Sequence, residues 1–255
     1  MKKYQFIGLV LLLAVLFLSG CGSNQGGEAY THYQNMSQAM AAVQSAEWDV
    51  DAVYGFVLGS AKMDLAMGGT VQEELVKGVP EKIKLDFDLS LAGSTLDMKA
   101  YYYDGWYYLE SDGKKTKRNM DVEEMLGKAN IQILQFPVSA ILNSQVKSVS
   151  GGQELYFKLK GEALTKMSNQ ILSSLGSLLA GLSSNETVSF SDAECKMVIG
   201  DDNIIKSYDL AFDLTLIVGE QETVIKCSTL LNLNLINDVT VVPPSDLDSY
   251  EIAAK

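Results

Sequence analysis

Apolar and polar residues alternate singly along most of this chain, and that pattern leaves few folds open. Ile83, Leu85, Phe87, Leu89 and Leu91 alternate with Lys82, Lys84, Asp86, Asp88 and Ser90. The same period of two carries Val50, Ala52, Tyr54 and Phe56, then Met63, Leu65 and Met67, then Leu96, Met98, Ala100 and Tyr102. It returns late in the chain with Tyr208, Leu210, Phe212, Leu214 and Leu216, and with Ile225, Cys227, Thr229, Leu231, Leu233 and Leu235. Successive side chains of a strand point to opposite faces, so each segment predicts a strand with one apolar and one wet face. Asp104-Gly105, set between Tyr101–Tyr103 and Trp106–Tyr108, predicts a tight type I′ hairpin. Gly151-Gly152 predicts another turn, Gly68-Gly69 a bulge, and a change of phase at Ser191-Asp192 a second bulge.

Sheets that are wet on one face need a cover for the other, and four segments offer it. Tyr33, Met36, Met40 and Val43 recur at helical spacing and predict a helix over 30–46. Asp121 with Glu124 predicts a short helix start, and Pro137 opens another through Leu142. Leu164, Met167, Ile171, Leu175, Leu178 and Leu182 form one stripe of a helix over 162–182. No linker rich in proline or serine divides the chain, so 30–250 reads as a single domain. The predicted class is α+β: a strongly curved antiparallel sheet with amphipathic helices covering its concave face. Pro243-Pro244 is expected to end the sheet and leave a polar tail.

The N-terminus carries a separate signal. Lys2 and Lys3 precede an apolar run from Phe6 to Leu18, which has the length of a signal-peptide core and is short for a membrane span. Leu18-Ser19-Gly20-Cys21 resembles a bacterial lipobox. In such signals the cysteine thiol receives diacylglycerol and cleavage leaves it as the N-terminus. Residues 1–20 are therefore expected to be removed, with Cys21 as the lipid attachment site and 21–29 as tether. Gly22 to Glu28 reaches at most roughly 25 Å, which would hold the domain close to the membrane on its extracytoplasmic side.

Removing residues 1–20 takes away two lysines and no acid, so the formal charge moves from −12 to −14. A surface this acidic repels nucleic acid. Chemistry is also constrained by count. His32 is the one histidine, which excludes a multi-histidine zinc site and a histidine-based triad. No glycine-rich loop has the lysine and hydroxyl needed to cradle a phosphate. No cofactor, no metal site and no catalytic residue is expected. Asp49, Asp51, Asp86, Asp88, Asp209 and Asp213 read as a solvated sheet face before they read as a weak cation site. Cys195 and Cys227 are expected on strands with one strand between them, roughly 9–10 Å apart and beyond disulfide reach. Both are expected to be free and buried.

The opening helix, the Met-rich alternating strands and the Tyr102-Tyr103-Asp104-Gly105-Trp106-Tyr107-Tyr108 hairpin resemble the LolA/LppX superfamily of lipoprotein carriers and lipid-binding lipoproteins. Lys114, Lys115 and Lys117 and the closing Val-Pro-Pro add to the resemblance, which covers residues 30 to about 250. It implies a half-open β-barrel with a helical lid and an apolar cavity for acyl chains. On that reading Leu85, Phe87, Leu89, Met98, Tyr102, Phe212, Leu214, Leu216, Leu231 and Leu233 line the cavity, lidded by Met167, Ile171 and Leu175. Trp106, Tyr107 and Tyr108 would form a rim, or else a cross-strand aromatic cluster. The same apolar face also fits a filled core. In that case the protein is an interaction, scaffold or envelope-regulatory lipoprotein that works through protein contacts.

Overall fold

The computed structural model describes residues 27–58, 61–76, 79–91, 93–119, 138–166, 186–218 and 221–253. Its alternating segments join one thirteen-stranded sheet. Strands β1 (Ser45–Leu58), β2 (Ala61–Val76), β3 (Val79–Leu91), β4 (Ser94–Tyr103), β5 (Trp106–Ser111) and β6 (Lys114–Asn119) pair in sequence order as antiparallel neighbours. The other half holds β7 (Ile141–Val149), β8 (Gly152–Leu159), β9 (Glu186–Phe190), β10 (Ala193–Gly200), β11 (Ile205–Val218) and β12 (Gln221–Ile236). β1 and β12 pair antiparallel and fuse the halves at the middle. A final short strand, β13 (Glu251–Ile252), runs parallel to β6. The β6–β13 edge and the β7 edge do not pair with each other, so the curved sheet stays open.

Local chemistry explains the turns. Asp104 and Gly105 both have positive φ, 50° and 74°, as a type I′ hairpin requires, and Asp112-Gly113 repeats the device at 52° and 69°. The bulge expected at Ser191-Asp192 is present. Phe190 pairs with Leu214 and Glu194 with Ala211, so one strand carries an extra residue there. Ser191 repairs the ladder: its N–H donates to the Asp213 carbonyl, and its hydroxyl accepts from the Asp213 N–H at 2.8 Å. Cys195 and Cys227 lie on β10 and β12, either side of β11, and both are free and buried. Burial pushes each thiol up to about 12, which removes the reactive thiolate at neutral pH.

Four expectations need correcting. The opening helix, α1, spans Gly27–Met40 rather than reaching residue 46, because Ser45 and Ala46 are already in β1. Helix does not continue to Leu142 either: one 3-10 turn at Val138–Ala140 leads straight into β7. There is no bulge at Gly68-Gly69, where the register with both β1 and β3 is continuous. Gly69 serves close approach, since a Cβ there would stand 2.1 Å from the Asp86 carbonyl oxygen and 2.6 Å from the Phe87 ring. Leu235 does not face inward. A register shift opposite Glu47 and Trp48 reverses the phase of β12, leaving Leu235 exposed and turning Ile236 toward the core.

The C-terminal tail is also structured. Val239 N–H donates to Ser45 Oγ and Val241 N–H to Glu74 Oε1 as the chain leaves β12. Lys115 then pairs with Asp246, and Tyr250 packs edge-on against Tyr108, with ring centroids 5.3 Å apart. The tail thus crosses from the middle of the sheet to its β6 edge and covers backbone groups of an edge strand. The short helix expected from Asp121 lies outside the described residues, as does most of the longer one expected over 162–182; 161–166 is helical.

Candidate ligand-binding face

Pairing places the inward side chains in transverse rows. Opposite residues share a face, so the row through Phe87 runs Leu231, Val50, Gly69, Phe87, Met98 and Ser111. The next row toward the strand ends at Ser45 contains Leu233, Trp48, Val71, Leu85, Ala100 and Leu109. On the other side lie Thr229, Ala52, Met67, Leu89 and Leu96. Of the residues expected to line a site, Leu85, Phe87, Leu89, Met98 and Leu231 are buried. Tyr102, Phe212, Leu214 and Leu233 lie on the same face but are half-buried. Leu216 is placed by its backbone pairing with Thr223. Met167, Ile171, Leu175 and Cys21 fall outside the described residues.

The face is finished differently on its two halves. Toward β7 and β8, α1 lies against the sheet: Tyr33 packs edge-on to Phe157, 5.9 Å between centroids, and Tyr30, Met36 and Met40 are buried with it. Toward the opposite ends of the long strands, Phe190 tilts against Phe212 at 5.3 Å while Phe56, Leu91, Leu96 and Leu214 stay half-buried at the border of the core. Apolar surface therefore continues past the packed centre along this face.

The aromatic hairpin divides between the two faces. Tyr107 is inward, paired with Tyr102, and half-buried. Tyr108 and Trp106 are outward. Tyr108 is only 7% exposed, beneath Tyr250, so it belongs to packing of the outer face and not to an open rim. Lys117 sits about equally over the Trp106 and Tyr108 rings, near 6 Å, and Arg118 stacks on Tyr107 at 5.1 Å.

One residue of this face was not expected. Glu73 points inward, is 5% exposed, and accepts a hydrogen bond from Trp48 Nε1 at 3.1 Å. Among the described residues no cation pairs with it, since the nearby Lys82 is held by Glu74 on the other face. Burial pushes its carboxyl up to about 7, with the Trp48 bond acting in the opposite sense. The parity of β2 holds the clue: Met63, Leu65, Met67, Val71 and Glu73 are all odd-numbered. A bulge at Gly68-Gly69 would have turned Glu73 outward, which is why the misplaced bulge concealed it. Among the described residues no group of histidine, cysteine or acidic side chains is arranged to hold a metal, and no helix is long and apolar enough to cross a membrane.

Neither a protein-family model nor a curated protein sequence matches the chain. Solved structures do. The Mycobacterium tuberculosis lipoprotein LppX aligns with a TM-score of 0.45 at 10% identity, over 84% of this chain and 98% of that one. LprF from Mycobacterium bovis aligns over 88% of this chain and 99% of its own, at 10% identity and a TM-score of 0.44. A DUF1329 family protein from Desulfovibrio piger covers 84% of this chain and 93% of its own, at 9% identity and a TM-score of 0.26.

Proposed function

We propose that this protein is a membrane-anchored lipoprotein that binds a hydrophobic ligand, a lipid or acyl chain, on the concave face of its sheet. The observation that carries this reading is the open thirteen-strand sheet whose apolar inner face continues beyond its packed centre into half-buried Phe212, Leu214, Leu91 and Leu96. Each methylene moved from water onto such a surface contributes about 0.8 kcal/mol, so an alkyl chain needs no specific chemistry to be held. Helix α1 and the segment 162–182, with Met167, Ile171 and Leu175, would cover the concave face and gate entry. Lipidated Cys21 would tether the domain at the extracytoplasmic membrane surface, beside its source of ligand. The protein acts by binding and not by catalysis.

The rival reading, a protein-interaction module, draws on outer-face Val53 and Leu230, which are 44% and 37% exposed. Uptake of the uncharged dye diphenylhexatriene by the Cys21→Ser protein separates the two. Saturable binding that Leu214→Trp weakens at least tenfold, with unfolding midpoint unchanged, supports the ligand reading. No saturable uptake by the parent protein favours the interaction module.

A further inference from the structure

One end of the sheet differs in composition from the rest of the molecule. The hairpins β1–β2, β3–β4 and β11–β12 turn at the ends of the long strands away from Ser45, and their six strands are consecutive neighbours in the sheet. Residues 56–61, 89–96 and 214–219, which carry the chain toward these turns, hold no charged side chain, although 20% of the chain is charged. The charges at these strand ends are Lys62, Glu220 and Glu222, with Glu186 beside Val218. The opposite turns carry Asp104, Asp201 and Asp202. Two of the uncharged hairpins reach furthest: Leu58 stands four residues beyond the Tyr54 row, where β3 ends at Leu91, and Val218 four beyond the Phe56 row. The inner side of this end is the half-buried border of Phe56, Leu91 and Leu214, and on its outer side Val224 is 42% exposed.

Helix α1 brings the tether to the same end. Its last residue, Met40, comes five residues before β1 begins at Ser45. Seven residues back along the helix, Tyr33 packs on Phe157, whose row runs through Cys195, Leu210 and Thr229 to Ala52. Ala52 stands seven residues up β1, about 23 Å from Ser45, so α1 climbs along the sheet toward the Leu58 end. Gly27 lies six residues beyond Tyr33, about 9 Å further along the helix and so roughly 30 Å from the Ser45 end. From Cys21 to Gly27 the chain reaches at most about 20 Å, too short for a lipid on Cys21 to let the Ser45 end rest on a membrane.

We propose that this end of the sheet, led by Leu58 and Val218, faces the bilayer and dips into its interface. The inference takes the Cys21 tether and the acyl-chain ligand from the proposed function. Anionic headgroups repel a chain of net charge −12 over most of its surface, and the uncharged hairpins are where it can come close. Exposed apolar surface of this kind marks a membrane contact when a lipid surface is held beside it. The border of Phe56, Leu91 and Leu214 then opens toward the bilayer, so that an acyl chain passes onto it without crossing water.

Protein beginning at Cys21, coupled through that thiol to a maleimide-headgroup lipid in phosphatidylcholine vesicles, tests this. Cys195 and Cys227 are buried and do not compete for the coupling. Part of the phosphatidylcholine carries a nitroxide near the top of one acyl chain, which quenches tryptophan at that depth. Trp48 is buried and Trp106 lies beside the Asp104 turn, so the parent's own emission is expected to be unaffected. Leu58→Trp and, independently, Val218→Trp are each expected to add emission of which about half is lost to the nitroxide, since interfacial side chains sit about 5–10 Å deep. Val76→Trp, at the opposite end where Val76 is 53% exposed, is expected to lose none. Equal quenching at the two ends, or none in the Leu58→Trp and Val218→Trp proteins, overturns the orientation. Diphenylhexatriene uptake by the uncoupled Cys21→Ser protein is scored separately, and its absence overturns the ligand while leaving the orientation standing.

Discussion

Replacing Phe87 by alanine is expected to destabilise the fold by about 4 kcal/mol, the range found for deleting a fully buried aromatic side chain. Phe87 is 1% exposed and sits between Gly69 on β2 and Met98 on β4. Gly69 has no side chain, so the Phe87 ring occupies space that a Cβ there would enter at 2.6 Å. No neighbour is large enough to collapse into the gap from that side. Urea denaturation of the Cys21→Ser protein, with and without Phe87→Ala, measures the difference. A loss below about 1 kcal/mol would mean that this face is loosely packed at its centre.

The second large effect concerns Glu73. Its folded-state value of about 7 lies above that of an unfolded-chain glutamate. The folded state therefore holds this proton more tightly than the unfolded state does. The linked stability is fully present at low pH and is lost as pH rises from about 4.5 to about 7, reaching about 3 kcal/mol above that window. Glu73→Gln removes the titration and retains the acceptor for Trp48 Nε1. The variant is expected to be more stable than the parent at pH 8 by up to about 3 kcal/mol, and nearly equal to it at pH 4. Unfolding free energies across that range read the difference directly. Parallel pH profiles for the two proteins would show that Glu73 is solvated and unstrained. Keeping an acid that lowers stability at neutral pH is the kind of compromise found at binding sites.

Much of this architecture was legible because alternation reports orientation residue by residue. Ile83 to Leu91, Val50 to Phe56 and Tyr208 to Leu214 face inward as their spacing requires, and Asp104-Gly105 turns where its φ preference predicts. What was missed lay where parity changes or where contacts are distant. Leu235 kept the right spacing in sequence, but the extra residue Asn234 directly before it reversed its face. Gly68-Gly69 looked like a break, yet it is a close approach of backbones inside an unbroken ladder, and that error hid Glu73. The tail looked polar because its anchors are isolated: Val241 and Tyr250 are each 3% exposed, nine residues apart, against partners more than a hundred residues away. No periodic signal marks such a strap. Of the site itself, the apolar rows were readable and the buried Glu73 was not, because its inward orientation follows only from the unbroken register of β2 with β1 and β3.

The most direct test of the concave face as a lipid site is mass spectrometry of organic extracts from the Cys21→Ser protein, expressed in bacteria and purified without detergent. The account predicts a co-purifying lipid near one molecule per protein, lost in Leu214→Trp. An extract free of lipid, from protein that also takes up no diphenylhexatriene, would contradict it.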